Sequence, residues 1–166
     1  VTADELWRHL PGAREASVHL ALFPEAPDGL VDAGVVDRWG RLLSVREAVN
    51  VEIEKLRQAK EVGQPLEARV ELRASGGLLD LLERHRADLP TLFIVSEVDL
   101  AAAGERPDAL TAVHRGGDDS WVAITVARSG GTRCDRCWRY VPSVTAGTES
   151  AGLCDRCLDA LAEARS

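Results

Sequence analysis

An α+β fold is predicted by three features of this 166-residue chain. Apolar residues recur at three- and four-residue steps between Asp37 and Val62, several short segments alternate with period two, and all four cysteines lie at Cys134, Cys137, Cys154 and Cys157. The first feature makes one long amphipathic helix, the second a small and mostly antiparallel sheet for it to pack on. The third sets a small cysteine-built module behind them. With 45% hydrophobic and 28% charged residues there is enough apolar material for a packed body, but only 4% aromatics, so Leu, Val, Ile and Ala must build the core.

Taken in order, Asp4 to Leu10 reads as a short helix with Leu6, Trp7 and Leu10 on one side, stopped by Pro11-Gly12. Ser17 to Phe23 alternates weakly and runs into a loop marked by Pro24, Pro27, Asp28, Gly29 and Gly34. Residues 1–36 lack a self-sufficient core and are read as the end of something larger. The long helix follows, with Trp39, Leu42, Leu43, Val49, Ile53 and Leu56 as its apolar stripe, Asp37 as its N-cap, and Gly63 and Pro65 as its stop. Leu66, Ala68, Val70 and Leu72 alternate with Glu67, Arg69 and Glu71, the pattern of a half-buried strand. Gly76-Gly77 precedes a second helix over Leu78 to Ala87, closed by Pro90. Thr91 to Ser96, with Phe93, Ile94 and Val95, is expected as a strand, and Glu97 to Pro107 as a loop. Leu110–Arg115 and Trp121–Arg128 flank Gly116-Gly117-Asp118-Asp119-Ser120 and form an antiparallel pair. A last short helix covers Leu158 to Ala164. The expected units are residues 1–36, an α+β body at 37–128, and the cysteine module at 129–166.

No apolar run approaches the roughly 20 residues a membrane-spanning helix needs, which excludes a transmembrane helix. The chain starts at Val1, has no methionine and shows no signal-peptide pattern; it is read as a processed chain or a fragment. A net charge of −7 excludes a protein that grips nucleic acid with its whole surface, so any such contact must be local.

Cys134-Asp135-Arg136-Cys137 and Cys154-Asp155-Arg156-Cys157 are separated by sixteen residues, within the spacing of a four-cysteine zinc site. A two-residue gap turns both thiolates of a pair to one point, and a returning chain completes a tetrahedron. A shell of four protein thiolates leaves no position for an activated water, so one Zn2+ per chain would be structural. Cysteines crowded into one segment argue against a secreted disulfide scaffold and for a reducing, cytoplasmic setting. A redox dithiol, two disulfides and a rubredoxin-like iron site are the competing readings. With zinc, the module is a small zinc finger appended to the α+β body.

Arg128, Arg133, Arg136 and Arg139 oppose only Asp135 near the first pair, and Trp138 and Tyr140 sit among them. Arginine beside an aromatic suits single-stranded RNA, where phosphates need charge and unstacked bases need a flat partner. The competing reading makes Trp138 a lid on the metal and the arginines ordinary surface. His9, His19, His85 and His114 are scattered, Asp118 and Asp119 look like turn residues, and no phosphate-binding loop, nucleophile elbow or metalloprotease motif occurs. No catalytic residue is assigned.

The run Cys134-Asp135-Arg136-Cys137-Trp138-Arg139-Tyr140, with Cys154-Asp155-Arg156-Cys157, resembles the C-terminal zinc finger of bacterial isoleucyl-tRNA synthetases. Thr2-Ala3-Asp4-Glu5-Leu6-Trp7 with Leu10-Pro11-Gly12 is similar to the end of that family's helical anticodon-binding domain. Val45-Arg46-Glu47-Ala48-Val49-Asn50 and Gly63-Gln64-Pro65-Leu66-Glu67-Ala68 resemble its junction, while residues 97–120 are the least similar part. The resemblance implies a fragment of a class I ligase that joins isoleucine to its tRNA using ATP, with ATP binding and editing carried out elsewhere in the parent. It implies zinc on the four cysteines, the tRNA(Ile) anticodon stem-loop and the parent's other domains as partners, and Arg136 and Trp138, with Arg133 and Arg139, as tRNA contacts. The alternative is a zinc-stabilised DNA- or protein-binding module like the fingers of some DNA-repair glycosylases. Those usually place Gly after a cysteine pair, where this chain has Trp138 and Leu158.

Overall fold

A computed structural model describes residues 2–25, 27–104, 112–115, 118–144 and 152–164. The end of the expected 97–107 loop, Leu110 and Thr111 of the expected strand, Gly116-Gly117 of the expected turn, and residues 145–151 lie outside the described residues. The chain divides into two units, Val1–Val35 and Val36–Ser166.

In the first unit, helix α1 spans Thr2–His9 and a single 3-10 turn Val18–Leu20 stands where weak alternation was seen. Polar ties rather than a core hold it. Asp4 Oδ1 accepts from the Ser17 hydroxyl at 2.5 Å and the Val18 amide at 3.2 Å, and the Trp7 indole donates to the Glu15 carbonyl at 2.9 Å. Leu22 and Phe23 are exposed.

Helix α2 spans Ala33–Gln58, starting earlier than the expected Asp37 cap. Asp32 supplies the cap instead, its carboxylate accepting from the Val35 amide at 3.0 Å. The helix also stops before Gly63. Lys60 takes the left-handed conformation at φ 60°, and the Glu61 and Lys60 amides close back on the carbonyls of Leu56 and Arg57, both at 3.0 Å. Its buried stripe is Leu42, Val45, Val49 and Ile53, whereas Trp39 and Leu43 are exposed.

Strand β1 (Ala68–Ala74) keeps the expected alternation, with Ala68, Val70, Leu72 and Ala74 all buried. Helix α3 covers Gly76–Arg84, so the two glycines begin the helix and do not precede it. The expected strand at Thr91–Ser96 is instead helix α4, Leu89–Phe93. Pro90 lies in its first turn, where its missing N–H costs nothing. Leu89 and Phe93, four residues apart, are both buried, and Ile94 at φ 58° ends the helix. The strand lies one step further on, as β2 (Glu97–Ala102), in the segment expected as loop. Only Leu100 of β2 is buried. Its strand character comes from pairing in parallel with β1 from Arg69–Glu97 to Ala74–Ala102, which no local pattern reveals.

Strands β3 (Ala112–Arg115) and β4 (Trp121–Arg128) form the expected antiparallel pair, and β4 pairs antiparallel with β1, giving a sheet of order β2-β1-β4-β3. One face carries Val70, Leu72, Leu100, Val122 and Ile124 into a single core with α2, α3 and α4. On β1 and β2, Arg69 binds Asp99 at 2.6 Å from the opposite face. Among the described residues no helix is long and apolar enough to cross a membrane.

Leu72 sits on the central strand, fully buried and paired with Leu100 on one side and Ile124 on the other. Leu72→Ala should therefore cost about 2–5 kcal/mol, read as a lower denaturation midpoint at unchanged slope. An unchanged midpoint would show that the core does not run through β1.

Candidate metal centre and finger surface

After β4 the chain makes two short strands, β5 (Thr132–Arg133) and β6 (Tyr140–Val141), paired antiparallel with Arg133 opposite Tyr140. The turn between them carries Cys134 and Cys137. Its amides fold inward, Cys134 N donating to the Arg139 carbonyl at 2.8 Å and Trp138 N to the Cys134 carbonyl at 2.9 Å. The second pair begins helix α5 (Asp155–Glu163), with Cys154 at its N-cap position and Cys157 one turn in. The two pairs are stitched by Asp135 N to the Gly152 carbonyl at 2.8 Å and by Cys154 N to the Cys134 sulfur at 3.4 Å. Gly152 suits this place because its φ of +84° is one that L side chains rarely adopt; a Cβ there would also push aside the Asp135 carboxylate.

The four Sγ atoms lie within 4.8 Å of one another. Cys137 and Cys154 are 3.7 Å apart at sulfur. Four Zn–S bonds of about 2.3 Å make a tetrahedron with an edge of about 3.8 Å, so the spacing fits one Zn2+. It is far from the about 2.05 Å of a disulfide. Cys134, Cys154 and Cys157 are buried and Cys137 half-buried, packed with Val141, Val144 and Leu153.

Thiol electrostatics point the same way. Burial pushes the Cys134 thiol up, but the backbone amides of Cys137, Cys154 and Arg136 outweigh it and bring it down to about 6. Burial raises Cys137, and burial with the neighbouring thiols pushes Cys154 up to about 12. Sulfur anions this close repel, so a dication is what lets the remaining thiols ionise.

Of the residues expected on the finger surface, Arg133 and Arg136 are exposed and without an ion-pair partner among the described residues. Trp138 is 57% exposed, with its backbone at φ 64°. That left-handed conformation favours glycine and is unusual for a bulky side chain. Arg139 behaves differently. Its guanidinium turns back to the sheet, Nε donating to the Ser96 carbonyl at 3.1 Å and Nη2 donating to the same oxygen. Ser96 is buried and carried no signal in the sequence; nor did the buried Ser129, whose hydroxyl meets Glu97 and the Tyr140 carbonyl. His114 lies beside Ser44 at 3.1 Å, and Asp118 accepts from Ser120 in its turn; neither is near the sulfurs in sequence or in hydrogen bonding.

The body and the cysteine quartet define a chain that carries a zinc finger. Residues 131–160 match the family described as "Zinc finger found in FPG and IleRS", and the cofactor is a structural Zn2+. Nearly end to end, the chain is similar to a segment of isoleucine--tRNA ligase. It is 39% identical over 162 residues to that of Geobacter sulfurreducens, covering 96% of this chain, and 38% identical over 164 residues to that of Gloeobacter violaceus, covering 98%. With the Haemophilus influenzae ligase it shares 34% over 163 residues, or 95% of its length. The chain spans 17%, 16% and 17% of the lengths of these three relatives.

Proposed function

We propose that this chain is the tRNA-binding C-terminal part of an isoleucine--tRNA ligase, which positions the anticodon stem-loop while the parent's other domains perform ATP-dependent aminoacylation in the cytoplasm. Residues 1–36 end the helical anticodon-binding domain, 37–128 form an α+β junction, and 129–166 form the finger. Cys134, Cys137, Cys154 and Cys157 hold one structural zinc.

Trp138 is the observation that carries the RNA reading. A metal lid would be covered, and a purely structural turn at φ 64° would be cheaper with glycine. A large indole held outward at conformational cost, with Arg136 two residues before it and Arg133 on β5, is an arrangement for stacking a base and neutralising its phosphate. Arg139 is occupied by Ser96, so the contact rests on Arg133, Arg136 and Trp138.

The test is binding of the zinc-loaded chain to tRNA(Ile) and to an anticodon-altered tRNA over a salt series. Tighter binding to the first, weakening as salt rises, is expected, since about two phosphate contacts supply the electrostatic part. Equal binding to both, or none to either at low salt, would overturn the reading.

A further inference from the structure

Where the finger joins the body, all of Ser96's hydrogen-bonding groups are engaged. Its amide donates to the Ala68 carbonyl at 3.1 Å, and its hydroxyl donates to the Leu66 carbonyl at 2.5 Å. The same hydroxyl oxygen accepts from the Tyr140 amide at 2.5 Å, and the Ser96 carbonyl accepts the Arg139 guanidinium. The residue is 0% exposed. A second contact lies beside it: the Ser129 hydroxyl sits 2.6 Å from Glu97 Oε1 and 2.9 Å from the Tyr140 carbonyl, while the Ser129 amide donates to the Glu67 carbonyl at 2.7 Å.

These contacts gather at one end of the sheet, where β1 and β2 begin and β4 has just ended. They grip two consecutive finger residues, Arg139 and Tyr140. Arg139 is tied to the metal turn as well, because its carbonyl accepts from the Cys134 amide. The residue before it is Trp138, whose left-handed backbone separates an outward indole from an inward guanidinium. A joint of several part-buried hydrogen bonds centred on two buried serines is stiff because any swing leaves polar groups unpaired away from water.

We propose that Ser96 is a positioning residue: with Ser129 it locks the zinc finger to the α+β sheet at one angle, and this lock holds Trp138 and Arg136 in the orientation that RNA engages. The second half rests on the RNA reading above; the first does not.

Residual dipolar couplings on the zinc-loaded chain separate the two. In the wild type, amides of β5, β6 and α5 should share one alignment tensor with β1 and β4. Ser96→Ala removes the Tyr140 contact and leaves Arg139 on the Ser96 carbonyl; it should retain one zinc per chain, loosen the finger so that its alignment tensor departs measurably from that of the sheet, and weaken tRNA(Ile) binding about three- to tenfold, the range of one lost hydrogen bond. Ser96→Thr keeps the hydroxyl and should restore both. Ser129→Ala serves as the milder variant should Ser96→Ala fail to fold. A single shared tensor in the folded alanine variants overturns the joint. Separate tensors with unchanged RNA affinity overturn the positioning role. A wild type that binds no RNA sinks the RNA reading alone, and the tensors still decide the joint.

Discussion

Stripping zinc from this chain should unfold the finger while leaving the four-stranded sheet intact. The finger has two-residue strands, one nine-residue helix and a buried cluster made of its cysteines with Val141, Val144 and Leu153. So small a core cannot offset the entropy of ordering its chain. Structural zinc supplies roughly 10–16 kcal/mol at neutral pH, so its loss removes nearly all that holds β5, β6 and α5 together. The sheet core from Leu42 to Ile124 contains none of these residues. After chelation, amide signals from the finger should collapse to unfolded positions while those of β1 and β4 remain dispersed. Cys154→Ser should do the same without chelator.

Acid should reproduce the effect. Cys134 is an acid whose folded value is lowered, from 9.0 to about 6. Its thiolate therefore contributes stability that is present above the ordinary thiol range and is lost as pH falls through about 6. Protons compete with zinc for the same sulfurs, so metal retained after dialysis should fall as the pH is lowered. A finger that stays folded when metal-free would overturn the zinc account.

The second large effect is at Trp138. Trp138→Gly should weaken binding of tRNA(Ile) roughly 5- to 150-fold, the loss of one base–aromatic stack of about 1–3 kcal/mol. The same change should leave stability unaltered or raise it by up to about 1.5 kcal/mol. Releasing an L-residue from the left-handed region returns about 1–2 kcal/mol, against about 0.5–1 kcal/mol for glycine's freer unfolded chain. Trp138→Phe should retain much of the affinity. The lid reading expects the reverse pattern, with faster zinc loss and a lower melting temperature for Trp138→Gly and unchanged RNA affinity. Calorimetry and a binding titration on the same samples distinguish the two.

The metal site was legible from the chain because it is locally encoded. A two-residue gap closes each thiol pair within one turn, and only a few metals suit four thiolates, so spacing and donor chemistry sufficed. The helix α2 and the alternation of β1 were legible for the same reason: periodicity records which side faces a core. Even so, Val45 replaced Trp39 and Leu43 in the buried stripe, since several faces of α2 carry apolar residues and only the sheet selects among them.

Other features were decided by contacts between segments far apart in sequence. Phe93, Ile94 and Val95 have strand-forming side chains, yet Leu89 and Phe93 bury a helical face and Ile94 closes it, while the nondescript Glu97–Ala102 becomes a strand by pairing with β1. Arg133, Arg136 and Arg139 are equivalent on a sequence reading. Only the fold turns Arg139 to Ser96, a partner 43 residues earlier, and leaves the other two exposed. Sequence alone thus determined the two cysteine pairs at zinc-finger spacing and the α+β class, because each depends on short-range spacing. Tertiary structure decided the second strand, the seat of the finger and the outward Trp138, because hydrogen bonds between distant segments choose among conformations that local propensity leaves nearly equal.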